Sequence, residues 1–274
     1  MNEKYILITG ASKGLGYFLA QHLAHSEFDL CLVARKEILL RKISTKLSSE
    51  TGRKIIPIVC DLANPRAVEN LISTIKKDFT SLLAVINNAA IHGPIGSLWK
   101  NDWNLWTEVI QVNLLAPVAL CHALVPLMKK TKGSIINLSG GGATGPRANF
   151  SAYATAKAGL VRFSETLAEE VKSYEIRVNC VAPGGMKTSL LSEVIQKGAR
   201  ISGKKEYDNA KKVFVEDDST MDRVADLVHF LISNESSKIT GKLISAIWDD
   251  WKNWPDHLDE LGNSDVYTLR RKEF

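Results

Sequence analysis

The sequence predicts an α/β fold with one doubly wound parallel sheet and a C-terminal tail. Short apolar runs alternate with amphipathic stretches, glycine or small polar residues follow several of these runs, and no linker divides the chain. Ligands bind such sheets at the carboxyl ends of the strands. With 274 residues and 45% hydrophobic composition the chain can bury one large core, so we predict one domain over residues 1–247 and a tail over 248–274.

The composition argues against several classes of protein. The formal net charge of +5 is mild and no basic stripe with interleaved aromatic residues is evident, so we expect no nucleic-acid partner. The polar residues Asn2 to Lys4 are unlike a signal peptide, and no run approaches the ~18 apolar residues of a membrane span, so we expect a cytoplasmic protein without membrane contact. Four scattered cysteines predict buried, reduced thiols rather than disulfides or a metal site: Cys31, Cys60, Cys121 and Cys180.

The first apolar run, Tyr5 to Thr9, leads into a glycine-rich turn and then an amphipathic stretch. A buried strand, a glycine turn and a helix place free backbone N–H groups and the helix dipole against a phosphate. The spacing is G-x-x-x-G-x-G, and an ordinary tight turn is the alternative. The residues predicted to bind a phosphate here are Gly10, Ser12, Lys13, Gly14, Leu15 and Gly16.

The second apolar run, Leu30 to Ala34, is followed by Arg35. In a dinucleotide-binding fold an acidic residue about 20 positions after the glycines binds the ribose hydroxyls, whereas arginine there suits a 2′-phosphate. No acidic residue stands at the end of this run, and Lys13 in the turn adds a second cation. We therefore predict NADP(H) in preference to NAD(H). The alternative is that Arg35 only begins a basic helix.

Small or polar residues also follow later apolar runs. The third run ends at Cys60, before a carboxylate that can meet an adenine amino group. The fourth ends at Ile86, before small residues and amides that let the backbone lie close to a flat cofactor. The sixth ends at Ala182, before a proline-glycine turn. The predicted cofactor contacts at these ends are Asp61, Leu62, Asn88, Ala89, Pro183, Gly184 and Thr188.

The fifth run, Gly133 to Leu138, leads through glycines to a helical stretch that carries Tyr153 and Lys157. Their i, i+4 spacing puts both side chains on one face of a helix. A phenol titrates near ~10, and a nearby ammonium lowers its pKa toward the operating range. The pair therefore predicts a proton donor to a carbonyl. In isolation, the same spacing more often marks a half-buried aromatic beside a surface lysine.

The order of these motifs resembles the short-chain dehydrogenase/reductase family, over nearly the whole chain to about Ile247. The matching segments are Thr9-Gly-Ala-Ser-Lys-Gly-Leu-Gly16, Asp61-Leu62, Asn87-Asn-Ala-Ala90, Asn113, Tyr153-x-x-x-Lys157 and Pro183-Gly184 with Thr188. The resemblance implies a Rossmann-like seven-stranded sheet, a nicotinamide cofactor and a catalytic tetrad of Asn, Ser, Tyr and Lys. It also implies a homodimer or homotetramer paired through two long helices.

The resemblance further implies catalytic roles. Tyr153 would be the acid and base, and Lys157 would lower its pKa and bind the nicotinamide ribose. Asn113 would hold a water in the proton relay. It is an odd choice in the middle of a predicted helix from about Asp102 to Met128, because its amide competes for backbone bonds.

The serine of the family is the main departure. It usually stands thirteen residues before the tyrosine, where this chain has Gly140. The contact to the carbonyl oxygen would then fall to Ser139, to Thr144 or to a backbone N–H group. Ala90 in place of the usual glycine is a smaller departure. The predicted catalytic set is Asn113, Ser139, Tyr153 and Lys157.

We predict an NADP(H)-dependent oxidoreductase that interconverts a secondary alcohol and a ketone. The alternatives are a nucleotide-binding regulatory protein that kept the fold and lost the chemistry, and a non-redox isomerase or dehydratase on the same scaffold. Retention of Asn113, Tyr153 and Lys157 together argues against a protein without chemistry.

The sequence does not give the substrate. The stretch from Leu190 to Val215 contains six cations and three acids between Glu193 and Lys212, which predicts a mobile, basic loop over the site and an anionic substrate, although such a run is more often a solvated surface. Arg147 and Phe150 are further candidates for specificity. In the tail, aromatic clustering predicts packing onto the body or a neighbouring subunit in preference to substrate binding, through Trp248, Trp251 and Trp254.

Overall fold

The structure is a computed structural model that describes residues 5–215 and 220–271. The strands are β1 (Tyr5–Thr9), β2 (Asp29–Ala34), β3 (Ile55–Val59), β4 (Leu82–Asn87), β5 (Ser134–Leu138), β6 (Arg177–Ala182) and β7 (Leu243–Ser245). They form one parallel sheet in the order β3-β2-β1-β4-β5-β6-β7, which confirms the predicted doubly wound arrangement. The winding reverses between β1 and β4, and a crevice opens there at the carboxyl ends of the strands.

Helices cover both faces of the sheet. They are α1 (Gly14–His25), α2 (Glu37–Thr51), α3 (Pro65–Asp78), α4 (Trp103–Ile110), α5 (Ala116–Met128), α6 (Ser151–Glu170), α7 (Ser189–Lys197), α8 (Ala199–Ser202), α9 (Lys204–Val215), α10 (Thr220–Ile232) and α11 (Leu258–Gly262). Successive residues of a strand face opposite sides, so Ile6 and Ile8 pack with α1 and α10, whereas Leu7 packs with α3 and α5. Burial on both faces explains why the strands read as continuous apolar runs.

Local sequence signals set several element boundaries. The side chain of Asn64 accepts hydrogen bonds from the backbone N–H groups of Arg66 and Ala67, and so caps α3. A π-helical turn, Gln111–Leu115, joins α4 to α5 and contains Asn113. The asparagine that is odd for a helix interior therefore marks an irregular turn.

The helical segment Trp103–Met128 corrects one expectation. By length and composition it is apolar enough to cross a membrane, although no such segment was expected. Half of the most apolar 18-residue stretch of this segment is buried inside the protein. Leu120, Leu124 and Met128 are fully buried, with α3 and the sheet as their neighbours. The buried half of this segment is therefore apolar because it packs in the core, between α3 and the sheet.

The polar stretch from 190 to 215 is helical, where a loop was expected. It belongs to α7, α8 and α9. Val194 and Ala210 are fully buried in an apolar cluster with Phe150 and Tyr153. The helices form because a few apolar residues at helical spacing face this cluster, while most of the cations that suggested a loop are exposed.

The tail turns back over the edge of the sheet after β7. Trp251 and Trp254 are buried in the cluster that includes α1 and α10, whereas Trp248 is 84% exposed. The backbone N–H of Leu243 donates to the carbonyl oxygen of Tyr267 at 2.7 Å. The tail therefore covers the outer edge of the last strand. The polar start of the chain, residues 1–4, lies outside the described residues.

Candidate active site

A large cavity opens along the carboxyl ends of β1, β2, β4, β5 and β6, with a volume of about 980 Å³. One part is lined by residues of the turn 10–16, by Arg35 and by Asp61, and we call it the glycine end. The other part is lined by His92, by most of residues 139–147 and by α6, α7 and α9, and we call it the tyrosine end. Every residue predicted to contact a cofactor lines this cavity.

The turn between β1 and α1 leaves no room for side chains where it begins. Gly10 has a φ of +68°, and a Cβ atom there would lie 2.9 Å from the Cα of Ala89. Asn88 holds this close approach, because its side-chain amide donates to the carbonyl oxygen of Thr9 at 2.9 Å. Helix α1 begins at Gly14, and the side chain of the preceding residue, Lys13, does not cap its first turn. The free N–H groups of that turn are suited to bind a phosphate.

Two cations stand at the rim of the glycine end. The side chain of Arg35 is 59% exposed, and its Nη1 lies 3.9 Å from Oδ1 of Asp61, too far for a hydrogen bond. The Nζ of Lys13 donates to Oγ of Ser189 in α7 at 2.8 Å. An exposed pair at this separation contributes little stability, so Arg35 is available to an anion.

Tyr153 and Lys157 project from α6 at the tyrosine end. Tyr153 is 6% exposed and Lys157 is 1% exposed. The Nζ of Lys157 donates to the carbonyl oxygen of Leu138, at the end of β5, at 2.6 Å. Burial lowers the pKa of Lys157 to about 8. Burial also raises the pKa of Tyr153 above its ordinary value, and the charge of Arg147 opposes this rise.

The expected effect of Lys157 on the pKa of Tyr153 is therefore wrong. The Nζ of Lys157 lies 5.7 Å from the centre of the phenol ring. The cation that opposes the rise is Arg147, whose Cζ lies 5.5 Å from the same ring. Loss of solvation around the buried phenol outweighs the attraction of the Arg147 charge, so the pKa of Tyr153 is raised and the neutral form is favoured.

Asn113 does not face the cavity. Its Oδ1 accepts a hydrogen bond from the N–H of Ile91 at 3.0 Å, and its Nδ2 donates to the carbonyl oxygen of Ile91 at 2.8 Å. The side chain is fully buried, and it is not among the residues that line the cavity. Both ends of its amide therefore hold the loop after β4, and its expected contact with a water stays a prediction.

Position 140 has no room for the serine of the family. A Cβ atom at Gly140 would lie 2.3 Å from the hydroxyl oxygen of Tyr153, so this hydroxyl occupies the space that a side chain needs. The Oγ of Ser139 is fully buried and has no hydrogen-bond partner among the described residues. Its backbone N–H donates to the carbonyl oxygen of Val181 at 2.8 Å. Thr144 is exposed and also lines the cavity.

The structure adds two residues that the sequence did not indicate. His92 is 5% exposed, and its ring meets the ring of Tyr153 edge-on with the centroids 4.9 Å apart. Its Nδ1 lies 3.6 Å from Oε2 of Glu193 in α7. The sequence signal for His92 is its position as a polar residue shortly after β4. Glu193 is a hundred positions away, and nothing in its own sequence neighbourhood links it to His92.

Arg147 ties the loop after β5 to α9. Its Nε and Nη2 donate to Oε2 of Glu206 at 3.0 and 2.8 Å. Its Cζ lies 3.9 Å from the centre of the Phe150 ring. Because the Arg147 side chain is only 13% exposed, this ion pair is shielded from water and holds α9 over the tyrosine end.

Comparison with known proteins gives a consistent result. The model of the family described as short chain dehydrogenase matches residues 4–198. Dehydrogenase/reductase SDR family member 4 of Homo sapiens is 29% identical over 243 residues, which cover 88% of this chain and 85% of that protein. A 3-oxoacyl-acyl-carrier-protein reductase of Chlamydia muridarum is 30% identical over 245 residues, which cover 89% of this chain and 96% of that protein.

Solved structures show the same likeness. A short chain dehydrogenase from Escherichia coli CFT073, complexed with NADPH, has a TM-score of 0.75 and 29% identity and covers 90% of this chain and 98% of its own. One from Shigella flexneri, complexed with NADP, has a TM-score of 0.76 and 27% identity, with the same two coverages. The likeness extends over most of the chain.

Proposed function

The chain belongs to the short-chain dehydrogenase/reductase family and is an NAD(P)-dependent oxidoreductase; from this premise we propose that it uses NADP(H) to interconvert a secondary alcohol and the matching ketone. Tyr153 is the acid and base of this reaction. One observation carries the proposal: a buried phenol and a buried lysine share one cavity with a glycine turn that leaves helix N–H groups free. A bound nicotinamide supplies or accepts the hydride, which no protein side chain provides.

The residues of the glycine end fit a dinucleotide. The uncapped start of α1 and the close approach at Gly10 suit the pyrophosphate. Arg35 and Lys13 would hold the 2′-phosphate, which favours NADP(H) over NAD(H). The two solved relatives complexed with NADPH and NADP support this preference. Further contacts to the cofactor would come from Ser12, Asp61, Leu62, Asn88, Ala89, Lys157, Pro183, Gly184 and Thr188.

Burial prepares Tyr153 for proton transfer. Its raised pKa keeps the phenol protonated, so the proton is available to a ketone oxygen. The nearby charge of Arg147 stabilises the phenolate that remains after the transfer. Lys157 is fixed by Leu138 and presents a stationary ammonium beside the reacting groups. In the reverse direction the phenolate takes the proton of the alcohol.

Hydride transfer tests this function directly. The purified protein is mixed with NADPH and a panel of ketones, and loss of NADPH absorbance is compared with the amount of alcohol formed. We expect equal amounts for at least one ketone. Formation of one alcohol for each NADPH consumed separates an oxidoreductase from an isomerase, a dehydratase or a nucleotide-binding regulatory protein. Tight NADPH binding without transfer to any ketone would contradict the proposal.

The charge of the substrate stays a prediction. Arg147 and Lys212 line the tyrosine end, but Glu193 and Glu206 line it too. An anionic substrate requires that kcat/KM fall as ionic strength rises, because salt screens the attraction. Equal kcat/KM for neutral and anionic ketones would remove the idea.

We also propose a homodimer or homotetramer that assembles through α4, α5 and α6. Three large apolar side chains on the first of these segments and the adjoining π-helical turn are exposed: Trp103 (65%), Leu105 (49%) and Leu115 (50%). Burial between subunits would remove this surface from water. Sedimentation as a 30.2 kDa particle at micromolar concentration would contradict assembly.

We also propose a cytoplasmic location. The four cysteines are buried and free, which fits a reducing cytoplasm.

A further inference from the structure

The substrate oxygen needs a second hydrogen-bond donor beside Tyr153. Donors placed around a developing oxyanion are among the largest contributions to catalysis. Gly140 has no side chain to offer, and any Cβ atom there would collide with the Tyr153 hydroxyl at 2.3 Å. The donor must therefore come from another part of the tyrosine end.

His92 lies in this part of the cavity with its ring held in place. The ring centroid is 4.9 Å from that of Tyr153 and 5.5 Å from that of Phe150, and both contacts are edge-on. The loop that carries it is fixed by the two hydrogen bonds between Asn113 and Ile91. The imidazole is thus preorganised next to the proton-donating phenol.

One ring nitrogen of His92 is buried beside a carboxylate and makes no hydrogen bond with it. Its Nδ1 is buried and has no hydrogen-bond partner among residues 5–215 and 220–271. The nearest acceptor is Oε2 of Glu193, at the ion-pair distance of 3.6 Å. A buried ring nitrogen without a partner is unfavourable, and a residue that served only for packing would avoid it. An imidazole carries an N–H donor in either neutral tautomer, so the ring can donate to a substrate oxygen.

We propose that His92 is a catalytic residue that donates a hydrogen bond to the substrate oxygen, in the place left without a serine at position 140. Glu193 is the positioning residue, because its carboxylate lies 3.6 Å from Nδ1 and orients the ring. This inference rests on the proposed function. No bond to hydrogen breaks at His92, because the transferred proton comes from Tyr153 and the hydride comes from the reduced cofactor.

Ser139 and Thr144 are less suited to this contact. The Oγ of Ser139 is fully buried, so a substrate in the cavity does not reach it without movement of the loop. Nδ1 of His92 is buried in the same way, but the ring has a second nitrogen, Nε2, to which this description does not apply, and Nε2 is the nitrogen that faces the substrate in our proposal. Thr144 is exposed, and a donor in contact with water contributes less than one in an enclosed site.

Two substitutions at His92 distinguish catalysis from packing. His92→Phe keeps an aromatic ring against Tyr153 and removes both nitrogens, so kcat should fall about 100-fold. His92→Gln loses the ring but keeps an N–H donor, so it should recover kcat at least about tenfold relative to His92→Phe. Both variants are measured with NADPH and the best ketone of the panel. NADPH affinity should stay within about twofold, because the change is at the tyrosine end.

Glu193 and two controls complete the series. Glu193→Gln should lower kcat in the wild-type background and have no effect in the His92→Gln background, because its action passes through the imidazole. Ser139→Ala should stay within about threefold of wild type, since the expected loss of an oxyanion donor is far larger. His25→Gln, on the exposed end of α1, is the matched control and should be unchanged.

The outcomes are distinct. If His92 only packs, His92→Phe retains activity and His92→Gln loses it, and that reversed order overturns the inference. A 100-fold loss in Ser139→Ala would assign the contact to the serine instead. A wild-type protein that binds NADPH and reduces no ketone would overturn the proposed function along with this inference.

Discussion

The two ends of the cavity are built in different ways. The glycine end is made of backbone turns and strand ends within residues 5–90. The residues that line it follow directly after strands that the sequence predicts. The tyrosine end brings together His92, residues 139–147 and helices α6, α7 and α9 from distant parts of the chain. A binding site for a shared cofactor can be specified locally. A site for a particular substrate depends on which distant segments meet.

The electrostatics of the two ends differ as well. At the glycine end Arg35 is exposed and loosely paired with Asp61. At the tyrosine end Arg147 is bonded to Glu206 and Lys157 is buried. Exposed cations are free to bind a phosphate and are screened by salt, whereas buried groups have shifted pKa values. Substitutions should therefore affect affinity at one end and chemistry at the other.

The largest effect is expected at Tyr153. Tyr153→Phe removes only the phenolic oxygen, so kcat should fall roughly 10²–10⁴-fold, as for loss of a general acid. NADPH affinity, measured by fluorescence titration, should change less than about twofold, because the glycine end is untouched. A loss of affinity as large as the loss of kcat would show that the two ends are not independent.

Gly140→Ser should lower activity, although it restores the serine of the family. The new Cβ atom must displace the Tyr153 hydroxyl, which lies 2.3 Å away, and a misplacement of about 1 Å can cost about 100-fold in rate. Gly145→Ser in the same loop is the control, because a Cβ there would have no atom of the described residues within 4 Å apart from its neighbours in the chain. Higher kcat in Gly140→Ser would show that the tyrosine end accommodates the usual tetrad.

The burial of Lys157 predicts a pH-dependent stability. In the folded protein the pKa of Lys157 is about 8, below the ordinary value for a lysine. Below pH 8 the buried ammonium therefore lowers the free energy of unfolding. This destabilisation disappears as the pH rises from 8 toward the ordinary pKa of lysine. The free energy of unfolding of Lys157→Met minus that of the wild type should therefore fall by about 2 kcal/mol between pH 7 and pH 10. Urea unfolding of both proteins across this range measures the difference. A constant difference would mean that the lysine is solvated.

The smallest effect is expected at the rim of the glycine end. Arg35→Asp should reduce the preference for NADPH over NADH about tenfold or more, because it replaces a cation at the 2′-phosphate with a carboxylate. The rate with a saturating cofactor should change little. Arg41→Asp, an exposed change on α2, is the matched control. Equal affinity of the wild type for both cofactors would remove the proposed role of Arg35.

Most of the fold follows from the sequence. Strands β1, β2 and β5 begin and end within one residue of the predicted apolar runs, because parallel strands buried on both faces are continuous apolar runs. The glycine turn was also predicted with all of its residues, since close backbone approach leaves a local pattern of small residues. The sequence likewise identified Tyr153 and Lys157 from their spacing and order among the other motifs.

Tertiary structure decided what depends on surroundings. The spacing of Tyr153 and Lys157 predicted a lowered pKa for the phenol, but burial raises it, and burial is a property of the packed protein. The side-chain amide of Asn113 makes two hydrogen bonds with the backbone of Ile91, which lies 22 positions away in the sequence. The contact of His92 with Glu193 exists only because α7 folds over the cavity. Sequence determines local geometry, whereas solvation and partners are set by segments that meet only when the chain has folded.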